Sequence, residues 1–591
     1  MVLFLTLILL YRVVNDMIKI KTPKCQTINR IRPPFVRSIS AMTGSETDTI
    51  YYVDDIKGTL NRISVVSQEN IGIVNHLSFT AFQNSTALWV EASTIQYAAM
   101  NKLITLRIDD GKVHQLSSLI LKEMDQIIGI EHQQGLCFMA DRNGMIAVYD
   151  DNMVKVKSWD LNININSMTF HRDEQTEGLY FLDEMNRSVY VYDLQGNHLF
   201  SITLPHEGAT SIASVFSSRA KEPMLYISYV RKTWEIYDDV NPESEDASSL
   251  NIQVDKKALN VFFEPLCYKH KILKNNNSLC LSNGYRVEFK YFSMLLPIQE
   301  VATQFKKLKP SVRMCIPINT ERQTVVSIDS LGQVHGNLIK DDDGEDIIEF
   351  TFPNMNMDQQ RVVFGYKAVV DLYNIRYLIE CAPFPSDFPD EVKKFLSVVE
   401  KLDMHRSELQ KIAAGILFAM PEECSRDILK VVKAIREYVY AKLEYRYNSR
   451  ETSPLQTLID GEGTCGKYTE LFLGLMRLCG VPCRAVGDYK VPEYKLEYGI
   501  LNSISRPDYD HVWIEFFVPD VGWVPMESSS DDLPGRHDRF FAALPWVHIE
   551  NSRTNKSREV VIPGTWKALD DRFSFSDYFE HEITITVTDE L

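Results

Sequence analysis

"GEGTCGKYTELFLGLMRLCGVPCRAVGDY" (Gly461–Tyr489) decides how the second half of this chain is read. Gly461, Gly463 and Gly466 surround one cysteine, Cys465. From Tyr468, the apolar residues Leu471, Phe472, Leu475 and Cys479 recur at spacings of three and four, one face of an α-helix. Gly480 stops the helix, Pro482 lies just beyond, and "CRAVGDYK" reads as a strand. Cys465 therefore stands at a helix start. A thiolate there faces unpaired N–H groups and the positive end of the helix dipole, which favour its charged form. The glycines leave room for a carbonyl to approach, and the Cys465 N–H is placed to donate to an oxyanion. A lone cysteine at a helix start is usually structural. Nucleophilic chemistry needs a base as well, and a residue to orient that base.

Both follow downstream. "HVWIEFFV" (His511–Val518) and "GWVPMES" (Gly522–Ser528) alternate as strands around the turn "PDVG". His511 opens the first strand and Glu527 lies on the second, and neighbouring antiparallel strands can hold such side chains together on one face. Upstream, "SRDILKVVKAIREYVYAKLEY" places Ile428, Val431, Val432, Ile435 and Val439 on one helical face, and "PSDFPDEVKKFLSVVEKL" carries a helix-start signature. Helices, a cysteine at a helix start, then an antiparallel sheet make an α+β domain. The candidate catalytic residues are Cys465, His511 and Glu527. Asp531 or Asp532 takes the third place if the strand ends early, or the triad has decayed. Tyr445 and Tyr447 precede the helix, as packing residues or a second oxyanion donor. Trp513 and Trp523 are expected in the core or cleft wall. His537, His548 and His581 lack the context of a base and are read as structural or surface residues.

The ordered set "GTC", "GVPCRAV", "HVWIE" and "GWVPME" resembles the transglutaminase-like superfamily over roughly residues 385–545. That family's pattern is G-x-C before a helix, a "GIPAR"-like strand entry, an "H-x-W-V-E" strand and a "GW-x-x-x-D" strand. The resemblance implies a papain-like fold with Cys465 as nucleophile and His511 as base. It also implies acyl transfer through a thioester on protein or peptide amides. The third family position is usually Asp; here it is Glu527, whose extra methylene must be accommodated. Hydrolysis is favoured over protein crosslinking, because neither accessory β-domains after the core nor a calcium motif is evident. A glycan-releasing amidase of the same superfamily typically brings a CxxC zinc module, which is not found. The rival reading is a non-enzymatic propeller scaffold carrying a silent domain.

The first half has another rhythm. "TIYYVDDIKGTLNRISVV", "GLCFMADRNGMIAVYDDNMVKVKSW" and "GLYFLDEMNRSVYVYDLQGNHLFSITL" each read as strand, polar turn, strand. Asp55, Glu91, Asp141, Asp183 and Tyr229 mark units 36, 50, 42 and 46 residues apart. A period of roughly 40–50 residues with several strands per unit belongs to propeller blades. The units resemble β-propeller repeats of a loosely YWTD- or NHL-like kind. The repeat Asp residues are read as turn formers accepting backbone hydrogen bonds. "KDDDGED" (Lys340–Asp346) lacks EF-hand ligand spacing and reads as a solvated turn ending the propeller.

The expected fold is therefore multidomain: an N-terminal all-β propeller of about six or seven blades, then an α+β papain-like domain. The boundaries are 1–45 (N-terminal segment), 46–350 (repeats), 351–384 (connection) and 385–591 (cysteine domain). A chain of 591 residues with 45% hydrophobic and 24% charged residues fits a soluble multidomain protein. Its net charge of −17 argues against binding nucleic acid through phosphates. The propeller is expected to bind a protein. No cofactor is expected: Cys479 and Cys483 have no second pair or nearby His to complete a zinc set, and both read as buried thiols. The ten scattered cysteines favour a reducing, cytoplasmic setting. The apolar run Val2–Tyr11 is about half the ~20 residues a membrane span needs; with the basic stretch after it, it reads as a possible signal or transit segment.

Overall fold

The computed structural model describes residues 26–27, 30–72, 82–230, 261–295, 311–352, 361–446, 452–491, 500–553, 558–561 and 579–591, with a few one- to four-residue gaps inside these ranges. The apolar run Val2–Tyr11 and Tyr447 lie outside them. No described helix is long and apolar enough to cross a membrane.

The repeats form a mostly β, propeller-like region. Four consecutive four-stranded antiparallel sheets cover residues 39–72, 87–120, 127–160 and 167–203. A three-stranded sheet follows, made of Ala209–Ser217, Glu222–Tyr229 and Phe262–Leu266. The first strands of successive sheets pack side by side, and that of the fifth packs against Ile39–Gly44 of the first. Ile31, from the N-terminal segment, bridges antiparallel to Phe263 on the edge of the fifth sheet. At the return contact a Cβ on Gly44 would sit 1.7 Å from the Ser214 carbonyl oxygen, so only glycine permits this approach. The turn role of the repeat acids is seen directly. Asp141 accepts from the N–H groups of Asp125, Gln126 and Asn143, and Asp183 from that of Asn186. In the first unit Asp54, one residue before the marker, accepts from Lys57.

Against the six or seven units expected, five such sheets occur among the described residues. The strands after residue 266 go elsewhere. Ser278–Leu295 and Val362–Leu378 pair along almost their whole length, and Phe579–Glu590 pairs on the other side of Ser278–Leu295. Gln323–Gly332 adds to the free edge of Val362–Leu378. A second sheet, holding Ser311–Cys315, Gly336–Lys340, Asp346–Thr351 and Arg558–Val561, shares a core with it through Phe289, Phe350, Phe364 and Tyr366. A β-unit thus occupies residues assigned above to the propeller's end and to a connecting segment. Lys340–Asp346 is a hairpin turn within it. The alternation Tyr285, Val287, Phe289, Tyr291 has the same period of two as a blade strand, so it marks a strand without naming its sheet.

The helical region packs Ser407–Ala419 (α1), Ile428–Tyr440 (α2) and Cys465–Leu478 (α3) around one core. In α2, Ile428, Val431, Val432, Ile435 and Val439 are all buried, as their spacing requires, and Asp427 caps the helix by accepting from the Lys430 N–H at 3.1 Å. The helix expected after "PSDFP" is one turn, Asp390–Lys393, running into 3₁₀ turns. α3 ends at Gly480 in the left-handed region (φ 82°), with the Val481 N–H returning to the Met476 carbonyl. The sheet beside it has the order Gly522–Met526, Asp510–Val518, Cys483–Lys490, His548–Ser552. Ile514, Phe516, Val518, Val524 and Met526 share the helical core with Leu471, Phe472 and Leu475 of α3.

Candidate active site

Residues of one parity on the strand Asp510–Val518 face the helices, which leaves His511, Trp513 and Glu515 on the opposite face. Trp513 is fully buried there among Ile375, Val486 and Leu544. His511 begins the strand, and Glu527 comes directly after the neighbouring strand Gly522–Met526. The structure brings these two together. His511 Nε2 lies 2.9 Å from Glu527 Oε1 and 3.0 Å from Oε2, with both side chains buried.

How Glu replaces Asp is visible in the backbone. The chain turns after Met526, and the N–H groups of Ser528, Ser529 and Ser530 donate to Glu527 Oε1 at 3.0, 3.3 and 3.4 Å. The longer side chain curls back over its own turn and still reaches the imidazole. Ser528 Oγ also donates to the Val512 carbonyl at 3.0 Å, tying the turn to the His511 strand. Burial alone would raise the Glu527 carboxyl. His511, His548 and these N–H donors outweigh it and hold the group well below the usual carboxylate range.

The alternative acids are engaged elsewhere. Asp531 is fully buried between two guanidiniums: Arg539 Nε at 3.0 Å from Oδ1, and an Arg436 terminal nitrogen at 2.5 Å from Oδ2. Asp532 accepts from the Tyr468 hydroxyl.

Cys465 is buried at the first residue of α3. Around it Gly463 pairs with Tyr445, and Tyr468, one turn on, reaches Asp532. Tyr445 and Asp532 line a cleft of about 190 Å³ together with His511, Glu527 and His548. The far wall comes from the repeat region, through Arg187 and Glu207. Two other cysteines beside α3 are plain core. Cys479 and Cys483 are buried in the helical cluster, and burial pushes both thiols up to about 12.

Residues 419–528 match a family model described as the transglutaminase-like superfamily. This part of the chain is a transglutaminase-like domain. Among solved structures, one described provisionally as a cysteine protease from Cytophaga hutchinsonii aligns with 55% of this chain and 93% of its own, at 15% identity and a TM-score of 0.36. The virginiamycin B lyase of Staphylococcus aureus aligns with 34% of this chain and 66% of its own, at 14% identity and a TM-score of 0.23. Neither likeness bears on what this chain acts on. A search of curated proteins finds no match.

Several family-pattern positions of the transglutaminase-like domain serve its architecture. Arg484 donates through Nε and a terminal nitrogen to Glu515 Oε2 at 2.8 and 2.6 Å, and its guanidinium stacks 4.0 Å from the Trp523 ring. "GVPCR", "HVWIE" and "GW" therefore meet in one cluster that locks three neighbouring strands. His537 packs edge-on against Tyr440, and His581 bonds Ser293.

His548, read above as structural or surface, lies beside the site. It is buried, its ring stacks on His511 (centroids 5.4 Å apart, 29° between planes), and its Nε2 lies 3.9 Å from Glu527 Oε2. It arrives on the strand His548–Ser552, paired to Cys483–Lys490 through Lys490↔His548. No neighbouring motif marks it; only this strand pairing brings it to the site.

Glu207 gives the cleft a defined pH dependence. Burial would raise its carboxyl, but Arg539, Arg187, Arg536 and Lys490 hold it down to about 2. A depressed carboxyl stabilises the fold fully above its unfolded value and loses that contribution as pH falls through its folded value. The urea-midpoint difference between wild type and Glu207→Gln is expected to be constant above about pH 5 and to shrink steadily toward pH 2. A difference that grows on acidification would contradict this assignment.

Proposed function

We propose that the domain is a thiol acyl-transfer enzyme acting on protein or peptide amides, with Cys465 as nucleophile, His511 as base and Glu527 as the orienting acid. The observation that carries this reading is the buried His511–Glu527 pair, whose carboxylate is clamped by three backbone N–H groups. Glu527 engages Nε2, so proton exchange with the thiol falls to Nδ1 of the same ring. Nδ1 takes the thiol proton as Cys465 Sγ bonds to the amide carbonyl carbon. Negative charge gathers on the carbonyl oxygen, near the N–H groups at the start of α3. Collapse breaks the C–N bond, the amine leaves with the proton from His511, and a thioester remains. Water, deprotonated by His511, then releases the acid and restores the thiol. An amine in place of water would give crosslinking, and hydrolysis is the favoured outcome. The intact, buried pair also argues against a silent relic, since a buried imidazole–carboxylate pair is costly to keep without use.

The five sheets read as a five-bladed ring closed through Ile31 and Phe263, presenting a protein substrate to the cleft it helps to wall. Neither metal nor cofactor enters the scheme, and the setting that suits its thiol is the cytoplasm.

The direct test is iodoacetamide labelling near pH 6 with peptide mapping. Cys381 is solvent-exposed and serves as an internal comparator, beside N-acetylcysteine as a free-thiol standard. Cys465 is expected to label faster than Cys381 despite being buried. Labelling no faster than Cys381 would sink the activated-nucleophile reading.

A further inference from the structure

A line of charged groups, part-exposed at Glu207 and buried from Arg539 inward, runs from the repeat region to the acid of the site. Glu207 lies in the connection between the strands His198–Thr203 and Ala209–Ser217 and pairs with an Arg539 terminal nitrogen. Arg539 Nε contacts Asp531 Oδ1 at 3.0 Å. The other Asp531 oxygen takes one Arg436 terminal nitrogen at 2.5 Å, and the second terminal nitrogen of Arg436 donates to the Glu527 backbone carbonyl at 2.5 Å. Arg436 Nε closes the loop on the His537 carbonyl at 2.9 Å. Arg539 is gripped from its backbone as well. Arg376 donates to the Arg539 carbonyl at 2.5 Å and, through Nε, to Thr203 Oγ1 at 3.0 Å. Residues 203 and 207 of the repeat region thus hold Arg539 at its main chain and at its side chain.

We propose that Glu207 is a positioning residue for the transglutaminase-like site, setting the Glu527–His511 geometry through Arg539, Asp531 and Arg436, so that the repeat region is a working part of the site and not a tethered binding module. Arg436 carries the link, because its fork is rigid and holds a fixed angle between Asp531 and the Glu527 carbonyl. Glu527 has little slack. Its carboxylate must satisfy three N–H groups and His511 together, so a small rotation of residues 527–531 lengthens the contact to Nε2. Discrete packed and hydrogen-bonded groups can transmit such a bias. Glu207 and Arg187 of the same region also wall the cleft beside His511, so the connection is short in space as well as continuous.

The inference rests on the proposed roles of Cys465, His511 and Glu527, and two separate readouts keep the failures apart. The first is the ¹⁵N-histidine spectrum of the full chain, which needs no activity. Glu207→Gln is expected to shift the His511 ring resonances and their titration, and to add no further shift in a Glu527→Gln background. The second is Cys465 alkylation against pH, where Glu207→Gln is expected to slow the rate near pH 6 by roughly three- to thirty-fold. Thr203→Val, which removes one hydrogen bond and keeps the shape, should move both readouts in the same direction by less; it stands in if Glu207→Gln does not fold. Folded variants with unchanged His511 resonances would overturn the proposal and leave Glu207 a structural ion pair. Slow labelling in wild type would overturn the enzyme reading, while the spectrum still decides the positioning.

Discussion

Glu527→Gln is expected to lower kcat by about 10⁴-fold in a protein that remains folded. The substitution is nearly isosteric, so its effect comes from proton placement. In the wild type both carboxylate oxygens accept, and His511 must carry its proton on Nε2. The position of Oε1 is fixed by the N–H groups of Ser528, Ser529 and Ser530. Only the oxygen of a glutamine amide can occupy it. The amide nitrogen is then turned to the Oε2 position, 3.0 Å from His511 Nε2 in the wild type. A donor there competes with the amide oxygen for Nε2 and populates the Nδ1–H tautomer, which cannot take a proton from Cys465. The negative charge that stabilises the imidazolium is lost as well. Burst and steady-state kinetics on a peptide amide, with circular dichroism to confirm folding, measure this. A loss below about tenfold would show that Glu527 does not orient the base.

Asp531→Asn is expected to destabilise the fold by about 3–5 kcal/mol, seen as a lower denaturant midpoint. Asp531 is fully buried and neutralises Arg436 and Arg539, themselves buried, while also accepting from the Phe540 N–H at 2.7 Å. An asparagine oxygen can serve one of these donors, but Arg436 then lies in low dielectric without a counter-charge and Arg539 keeps only Glu207. The exposed pair Arg426–Glu422 is the contrast: Glu422→Gln should change stability by no more than about 0.5 kcal/mol. Equal effects at the two sites would mean that Asp531 is not the anchor its surroundings indicate.

Much of the site was legible because its parts are local. A helix start shows as glycines, a cysteine and a three-four spacing, and a strand as period two; Cys465, His511 and Glu527 each lie in such a pattern. The family resemblance supplied their order. The number of blades and the extent of the repeat region were less legible. The strands Ser278–Leu295 and Val362–Leu378 alternate like blade strands, and their partner Phe579–Glu590 lies near the other end of the chain.

The sequence by itself therefore determined the type of most elements and nominated Cys465, His511 and a nearby acid, because backbone periodicity and capping act over a few residues. Tertiary structure alone decided which acid meets His511, that His548 stacks beside it, and that Glu207 reaches Arg539 across 332 residues of chain. In the sequence, Asp531 and Asp532 stand as substitutes for Glu527 should the strand end early. They differ only in which buried cations and hydroxyls face them, and a buried carboxylate takes its role from those partners, which the fold brings from distant parts of the chain.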